Sequence, residues 1–309
     1  MTTPGEVSTT RKELTRMGDR ISFLYAERCM VNRDNNALTV TDQRGTAYVP
    51  ATAIAVLLLG PGTRITYAAM ALLGDAGCSV AWVGERGVRF YAAGRPPAKS
   101  SRMAEAQAEI VAHQRKRLDC ARRMYGLRFP DEDVSGLSMA QLRGREGARM
   151  KRVYVREAER TGVEWNRRSI HPGDYNSADP INQALTSASA ALYGVAHAVV
   201  AGLGFVPSLG VVHNGTDRSF VFDIADLYKA EIAIPAAFDA VASGSPDPGV
   251  EARRKVRDQV VEHRLMPRMV ADLKYVMDVD DSDLTSDVEL LLWSELETVA
   301  AGVNWAEEP

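Results

Sequence analysis

The sequence predicts an α+β fold, a small N-terminal β domain followed by a larger all-α C-terminal domain, and three observations carry that reading. Over residues 20–93 short apolar runs are separated by turn residues, the pattern of strands. Beyond residue 101 apolar positions recur at three- and four-residue steps, the spacing of a helix face. Between them Gly94-Arg95-Pro96-Pro97, followed by Ala98-Lys99-Ser100-Ser101, interrupts all periodicity and reads as a linker. The expected division is a β-rich domain over 1–94, a linker over 95–100, and a helical domain over 101–309 that ends in an acidic tail. With 309 residues, 46% hydrophobic and 25% charged, the chain has ordinary globular composition, which excludes a disordered or collagen-like protein.

The strands are expected at Ile21–Tyr25, Ala37–Thr41, Ala53–Leu59, Ser79–Val83 and Val88–Tyr91. Asp34-Asn35-Asn36, Gln43-Arg44-Gly45 and Gly60-Pro61-Gly62 supply turns, and one helix fits near Ile65–Leu73. In the second half Arg102–Tyr125 is one long amphipathic stretch. Ser138 is an N-cap for a helix running to about Thr161, with Gly162 just past its end. Asp179-Pro180 supplies an N-cap and an N1 proline for a helix running towards Gly202. Ile181 to Thr216 contains no Asp, Glu, Lys or Arg, but Asn182, Gln183, His197 and Pro207 break it. It reads as a buried core helix followed by a turn and a strand rather than a membrane span. Another helical segment begins near Ser219 and is interrupted at Pro235, and Val250–Tyr275 is helical again.

Net charge is −3, yet the charge is unevenly placed. From Asp272 onward there are eleven acidic residues and one basic residue, so the remaining body is mildly basic. That distribution suits a polyanionic partner for the body and a separate role for the tail. Cys29, Cys78 and Cys120 form no C-x-x-C pair, which points to a reducing cytoplasm rather than disulfides or structural zinc. The N-terminus carries no apolar core of a secretory signal, so none is expected.

Some charges stand where an apolar residue is expected. Met139, Leu142, Met150 and Val153 form a stripe, and Glu146 lies within it, four residues from both Leu142 and Met150. A carboxylate facing a core needs a cation or donors to meet it. A salt bridge to Arg143 or Arg149 would do, and so would a ligand. Gly144 and Gly147 flank it inside the helix, a pattern that suggests the close approach of another backbone or a ligand. His213 ends the apolar run Val211-Val212 and enters an Asn214-Gly215 turn. Asp223 and Asp226 follow, three apart on a helix and therefore on one face, among Phe222, Ile224, Ala225 and Leu227. A divalent cation would relieve their mutual repulsion. Two carboxylates, a glutamate and an imidazole form a hard donor set suited to Mg²⁺ or Mn²⁺. Nine basic residues against four acidic ones lie between Arg143 and Arg168, and Arg115–Arg128 adds six against Asp119 alone. Solvated helix faces and a track for a polyanion both produce such runs.

Gln141-Leu142-Arg143-Gly144-Arg145-Glu146-Gly147-Ala148-Arg149, Ile181-Asn182-Gln183, Leu192-Tyr193-Gly194, Val212-His213-Asn214-Gly215 and Ser219–Asp226 resemble the CRISPR-associated endonuclease/integrase of spacer acquisition, the "Cas one" family, in its subtype I-E form. Gly60-Pro61-Gly62-Thr63-Arg64 and Val83–Arg89 extend the resemblance, which covers roughly residues 20 to 275. The resemblance implies a metal-dependent DNA endonuclease and integrase, with Glu146, His213 and Asp226 as metal ligands and Asp223 as their acidic neighbour. It implies that Tyr193 and Lys229 adjoin the active site, and that Arg64 and Arg89 serve dimer or DNA contacts. With Arg143 and Arg149 they make up the expected DNA-binding set. It further implies a homodimer, two of which flank a dimer of the small "Cas two" partner. That complex holds double-stranded DNA with 3′ single-stranded ends and joins it to CRISPR repeat DNA. Joining by transesterification needs no nucleotide cofactor, and no G-x-x-x-x-G-K-[ST] loop is present. The turn after His213 reads Thr216-Asp217-Arg218 where some relatives carry a lysine. Two other readings of the same residues are a non-catalytic DNA-binding scaffold and a metal-dependent nuclease on branched DNA.

Overall fold

Tight two-residue turns fold the first strands back on themselves and split the N-terminal region into two sheets. In a computed structural model of the protein, residues 24–54, 56–76, 78–84, 90–94, 101–169, 175, 178–279, 291–293 and 298–300 are described. The β region runs β1 (Leu24–Ala26), β2 (Met30–Asp34), β3 (Ala37–Asp42), β4 (Gly45–Pro50), β5 (Val56–Leu59), β6 (Arg64–Ile65), α1 (Tyr67–Asp75), β7 (Ser79–Val83) and β8 (Phe90–Gly94). One four-stranded sheet has the order β4-β3-β2-β6 and the other β1-β5-β7-β8. Asp34 pairs with Ala37, and Asn35 closes that hairpin at φ 52°, the left-handed region asparagine tolerates. β1, β5 and β7 pair in parallel, so β5 reaches β7 by way of β6 and α1. Thr66 starts α1 by accepting from the Ala69 N–H.

β3 and β7 lie where the apolar runs place them, and β5 keeps only the end of the expected Ala53–Leu59 run. The expected strands at Ile21–Tyr25 and Val88–Tyr91 lie partly outside the described residues, and so does the linker over 95–100. β2 and β4 are additions to the sequence reading. Asn32, Arg33 and Asp34 are exposed, as is most of β4, so neither strand shows an alternating pattern. Pairing on either side of β3 makes them strands.

The helical region comprises α2 (Arg102–Ala112), α3 (Gln114–Arg128), α4 (Met139–Thr161), α5 (Pro180–Gly202), α6 (Ser219–Asp226), α7 (Ile234–Ala242), α8 (Pro248–Glu262) and α9 (Leu265–Met277). A short antiparallel pair, Leu291–Trp293 with Thr298–Ala300, follows. α4 begins with the Ser138–Gln141 capping box and ends on Gly162 at φ 71°. Asp179 caps α5, and Pro180 occupies its first turn.

Two stretches that read as single helices are each broken. His113, at φ −104° and ψ 111°, separates α2 from α3, and Arg264, at φ 47°, separates α8 from α9. No glycine or proline announces the first break, whereas Pro267, in the first turn of α9, marks the second. The second break lets α8 and α9 both lay their apolar faces on α5. Pro235 does not interrupt its helix. A π-helical turn over Lys229–Ala233 precedes it, in which the Ile234 N–H reaches the Lys229 carbonyl, and the proline enters the first turn of α7.

α5 is the axis of the core. It packs against α6, α7, α8 and α9 and against β5 and β7. Its length and apolarity suffice for a membrane span, yet Ala184, Leu185, Ala188, Leu192, Val195, Ala196 and Val199 are buried inside the protein. Gly194 admits the β region: a methyl there would lie 3.2 Å from Leu58 of β5.

His197 sits on the same helix, 9% exposed, and burial pushes its pKa down to about 4. The unfolded chain therefore binds this proton more readily than the native one. Stability from this group is full above pH 6.5 and falls as the pH drops towards 4. Between pH 7 and pH 5 the loss should be about 2 kcal/mol, read from urea unfolding, and His197→Gln should remove that part of the pH dependence. Equal losses in both proteins would place the acid sensitivity elsewhere.

Candidate functional site

Val211 and Val212, expected to end a strand, lie instead in an irregular loop between α5 and α6. Their backbone hydrogen bonds go to a side chain. The buried carboxylate of Asp223, on α6, accepts from the N–H groups of Val211 at 2.6 Å, Val212 at 3.1 Å and His213 at 2.9 Å. It also takes the His213 Nδ1 at 2.8 Å. Other residues fasten the same loop. Gln107, fully buried on α2, donates to the carbonyls of Val206 and Leu209 and accepts from the Val206 N–H. Arg117 on α3 donates to the carbonyls of Val211 and Gly210 and to Asn214 Oδ1. Gly210 is required for close approach: a Cβ there would sit 2.2 Å from the His213 carbonyl oxygen.

This loop delivers His213 to a cavity of about 20 Å³ that Glu146 of α4 and Asp226 of α6 also line, together with Tyr125, Arg128 and Asp223. The volume admits one water-sized occupant. His213 Nε2 lies 3.9 Å from Asp226 Oδ2. The bond from Nδ1 to Asp223 raises the His213 pKa against the opposing effect of burial. It also fixes the ring so that Nδ1 carries a proton and Nε2 faces the cavity.

The carboxylates are held by cations. Arg128 Nη2, at the end of α3, lies 2.6 Å from Glu146 Oε1, and the Tyr125 hydroxyl donates to Oε2 at 2.7 Å. The expected partners of Glu146 were Arg143 or Arg149. Arg143 is exposed, and Arg149 instead covers the Phe129 ring at 4.6 Å, so an arginine of the neighbouring helix takes the role. Lys229 Nζ lies 2.6 Å from Asp226 Oδ1 and 4.9 Å from the centre of the Tyr193 ring. Burial opposes the Lys229 charge, but Asp226 and Tyr193 outweigh it and raise its pKa. Tyr193 in turn packs on Phe222 with ring centres 4.9 Å apart.

The geometry revises one inference from the sequence. Asp223 and Asp226 need no cation to relieve mutual repulsion, because four N–H donors answer the first and Lys229 the second. Among the described residues no three His, Cys, Asp or Glu side chains close to coordination geometry, since Arg128 and Lys229 hold Glu146 and Asp226. The donor chemistry nevertheless suits a hard divalent ion. Two carboxylates and the Nε2 of an anchored imidazole line one small cavity, and a carboxylate behind the histidine is the usual support of a metal-bound ring.

The basic runs divide. In the earlier one, Lys116 pairs with Glu109, Arg117 with the histidine loop, Arg122 with Asp119, Arg123 with the Val276 carbonyl and Arg128 with Glu146, so structure accounts for most of it. On α4, Arg145, Arg156 and Arg160 pair with Glu132, Glu157 and Asp239. Arg168 is turned inward to Asn182 and Thr186. Arg143, Lys151 and Arg152 are exposed and have no ion pair among the described residues. Gly144 and Gly147 meet nothing within 4 Å, so no approaching backbone among the described residues explains them. Arg64 is exposed on β6, and Arg89 lies outside the described residues.

Arg128, Tyr125, Arg117 and Gln107 are site residues that the sequence reading passes over. Gln107 leaves a signal, a polar residue between Met103 and Ile110 on a buried helical stripe. Arg128 leaves none within so basic a run.

Comparison with known proteins adds a family. Residues 23–129 match the family model described as CRISPR associated protein Cas1. The chain is 44% identical to the CRISPR-associated endonuclease Cas1 of Clostridium sp. (strain SY8519), over 96% of this chain and 99% of that protein. It is also 44% identical to a CRISPR-associated endonuclease Cas1 of Thermus thermophilus, covering 85% of this chain and 81% of that one. The fold superposes on the crystal structure of a TtCas1–DNA complex with a TM-score of 0.81 and 41% identity, over 91% of this chain and all of that chain.

Asp223→Asn replaces an acceptor-only group with one that presents an NH₂ to N–H donors. It should cost roughly 2–4 kcal/mol in urea unfolding, whereas Asp217→Asn on the exposed turn should stay within about 0.5 kcal/mol. Equal effects would show that Asp223 does not organise the loop.

Proposed function

The chain belongs to the Cas1 family of CRISPR-associated proteins, and from that premise we propose that it is the metal-dependent DNA endonuclease and integrase of CRISPR adaptation, of subtype I-E. The observation that carries this reading is the meeting of Glu146, His213 and Asp226, from three separate segments, around one cavity flanked by Arg128 and Lys229. Those three side chains would hold Mg²⁺ or Mn²⁺. Such an ion, when bound, supplies Lewis acidity towards a phosphoryl oxygen and an attacking hydroxyl.

The reaction is transesterification. A DNA 3′-hydroxyl oxygen bonds to phosphorus, the bond from phosphorus to the target strand's oxygen breaks, and the hydroxyl proton ends on that leaving oxygen. One phosphodiester replaces another, so no nucleotide is consumed. With water as the attacking group the same centre hydrolyses DNA. Asp223 keeps the His213 ring in orientation throughout. Lys229, held at Asp226 and over Tyr193, brings positive charge to the cavity's edge, where a phosphodiester would enter. Tyr193, wedged between Phe222 and Lys229, is suited to orienting or stacking on DNA rather than to forming a covalent intermediate.

The DNA complex of the TtCas1 relative supports DNA as ligand. So does the exposed face of α4, where Arg143, Lys151 and Arg152 surround two bare glycines. Arg64, Arg89 and Arg149 complete the proposed DNA-contacting set. The ligands are double-stranded DNA with 3′ single-stranded ends and CRISPR repeat DNA. The assembly is a homodimer, joined in a four-to-two complex by the small Cas two partner. Three buried free cysteines suit a cytoplasmic location. The division into domains at 1–94 and 101–309, joined by the 95–100 linker, belongs to the same proposal. One observation favours a second reading, a non-catalytic DNA-binding scaffold: both carboxylates of the site already carry cations.

Glu146→Gln separates the two. Joining of a labelled 3′-overhang duplex to a supercoiled plasmid, with the partner protein and Mg²⁺ or Mn²⁺, should fall at least about a hundredfold, while duplex affinity stays within about threefold. Unimpaired joining would favour the scaffold. Arg152→Ala should weaken binding to unrelated duplexes equally and lower the slope of log affinity against log salt by about one. An unchanged slope would remove α4 from the contact surface.

A further inference from the structure

Resting on the reading of Glu146, His213 and Asp226 as a divalent-cation site, we infer that Arg128 is a positioning residue that couples metal binding to DNA binding. Its guanidinium holds Glu146 until a phosphodiester enters the cavity, and the divalent ion binds weakly before that.

Arg128 lines the same cavity as the three donors. Its Nη2 lies 2.6 Å from Glu146 Oε1, and the Tyr125 hydroxyl takes Oε2, so both carboxylate oxygens are engaged on the cavity's edge. The guanidinium also lies over the faces of Tyr125 and Phe129, at 5.6 and 5.7 Å, and against Met150 Sδ at 4.0 Å. Glu146 is its one carboxylate partner among the described residues. The arginine side chain is 11% exposed, so this pair is little screened by solvent. A guanidinium does not shed its proton, and its charge persists as a second cation arrives. Lys229 imposes the same condition on Asp226.

Two fixed cations therefore stand against the two carboxylates that would bind the ion. A divalent ion added to this arrangement leaves an excess of positive charge in a cavity for one water-sized particle. A phosphodiester removes that excess, and its paired oxygens suit a guanidinium fork that Glu146 meets through one oxygen only. Arg128 turns to the phosphate, the aromatic faces continue to support its stem, and Glu146 becomes free to coordinate. Linkage makes the effect mutual: whatever DNA adds to metal affinity, metal adds to DNA affinity.

Electron paramagnetic resonance of free Mn²⁺ measures the coupling directly, on the full chain, with and without a 3′-overhang duplex whose ends lack the 3′-hydroxyl. In the unmodified protein the duplex should tighten Mn²⁺ binding about tenfold or more. Arg128→Gln should bind Mn²⁺ about tenfold more tightly without DNA and gain less than about threefold from adding it. Arg128→Lys, which keeps the charge, should retain the coupling. Arg128→Gln binding Mn²⁺ as weakly as the unmodified protein, or more weakly, overturns the inference. So does equal Mn²⁺ affinity of the unmodified protein with and without duplex, a comparison that stands even if Arg128→Gln does not fold. Failure of the unmodified protein to bind Mn²⁺ under either condition overturns the metal reading itself, whereas binding without coupling overturns only the role of Arg128.

Discussion

Three consecutive backbone N–H groups and one imidazole N–H converge on a single buried carboxylate, that of Asp223. Among the described residues no backbone carbonyl meets the Val211–His213 N–H groups, so without this acceptor three buried or half-buried donors would be left unpaired. Desolvating an ionised carboxylate is itself costly, and four N–H donors are what offset it. Loop and helix therefore lock together, and the histidine is locked with them. Gln107, Arg117 and the absent side chain of Gly210 reinforce the loop from its other side.

The rest of the site is a problem in placing charge. Glu146 and Asp226 project into a small cavity between α4 and α6, and each is answered by a cation from a different place: Arg128 from α3 and Lys229 from the π-helical turn. The turn matters because it begins at Lys229, and the shift in helical phase ahead of Pro235 leaves the ammonium beside Asp226 and Tyr193. The same placement of charge explains why so basic a protein body is not a uniform polyanion surface. Most of the arginines on α3 and several on α4 are spent on carboxylates and carbonyls of the chain itself, and the residual basic face is the stretch around Arg143, Lys151 and Arg152.

Much of this was legible in the residues. The change of period, the caps at Ser138 and Asp179, and the exit of α4 at Gly162 are local signals, and the structure obeys them. Glu146 stood out because an acid on an apolar stripe demands a partner, but the sequence nearby offered Arg143 and Arg149, and a residue of another helix won. Asp223 and Asp226 were legible as a pair yet not as having opposite duties, one turned back to the loop and one to the cavity. The strands β2 and β4 and the loop at Val211 were not legible, because pairing rather than a local pattern decides each. β2 and β4, largely exposed, are made strands by hydrogen bonds to β3, their neighbour in the chain, and the loop is held by a side-chain carboxylate in place of a neighbouring strand.

The central claim is that Asp223 presents His213 Nε2 to the same point in space as Glu146 and Asp226. Anomalous diffraction from crystals of the protein grown with Mn²⁺ and a DNA duplex tests it most directly. The account requires one strong peak in the cavity, at roughly 2–2.4 Å from a carboxylate oxygen of Glu146, a carboxylate oxygen of Asp226 and His213 Nε2. A peak bound through His213 Nδ1, or none within reach of all three side chains, would contradict it.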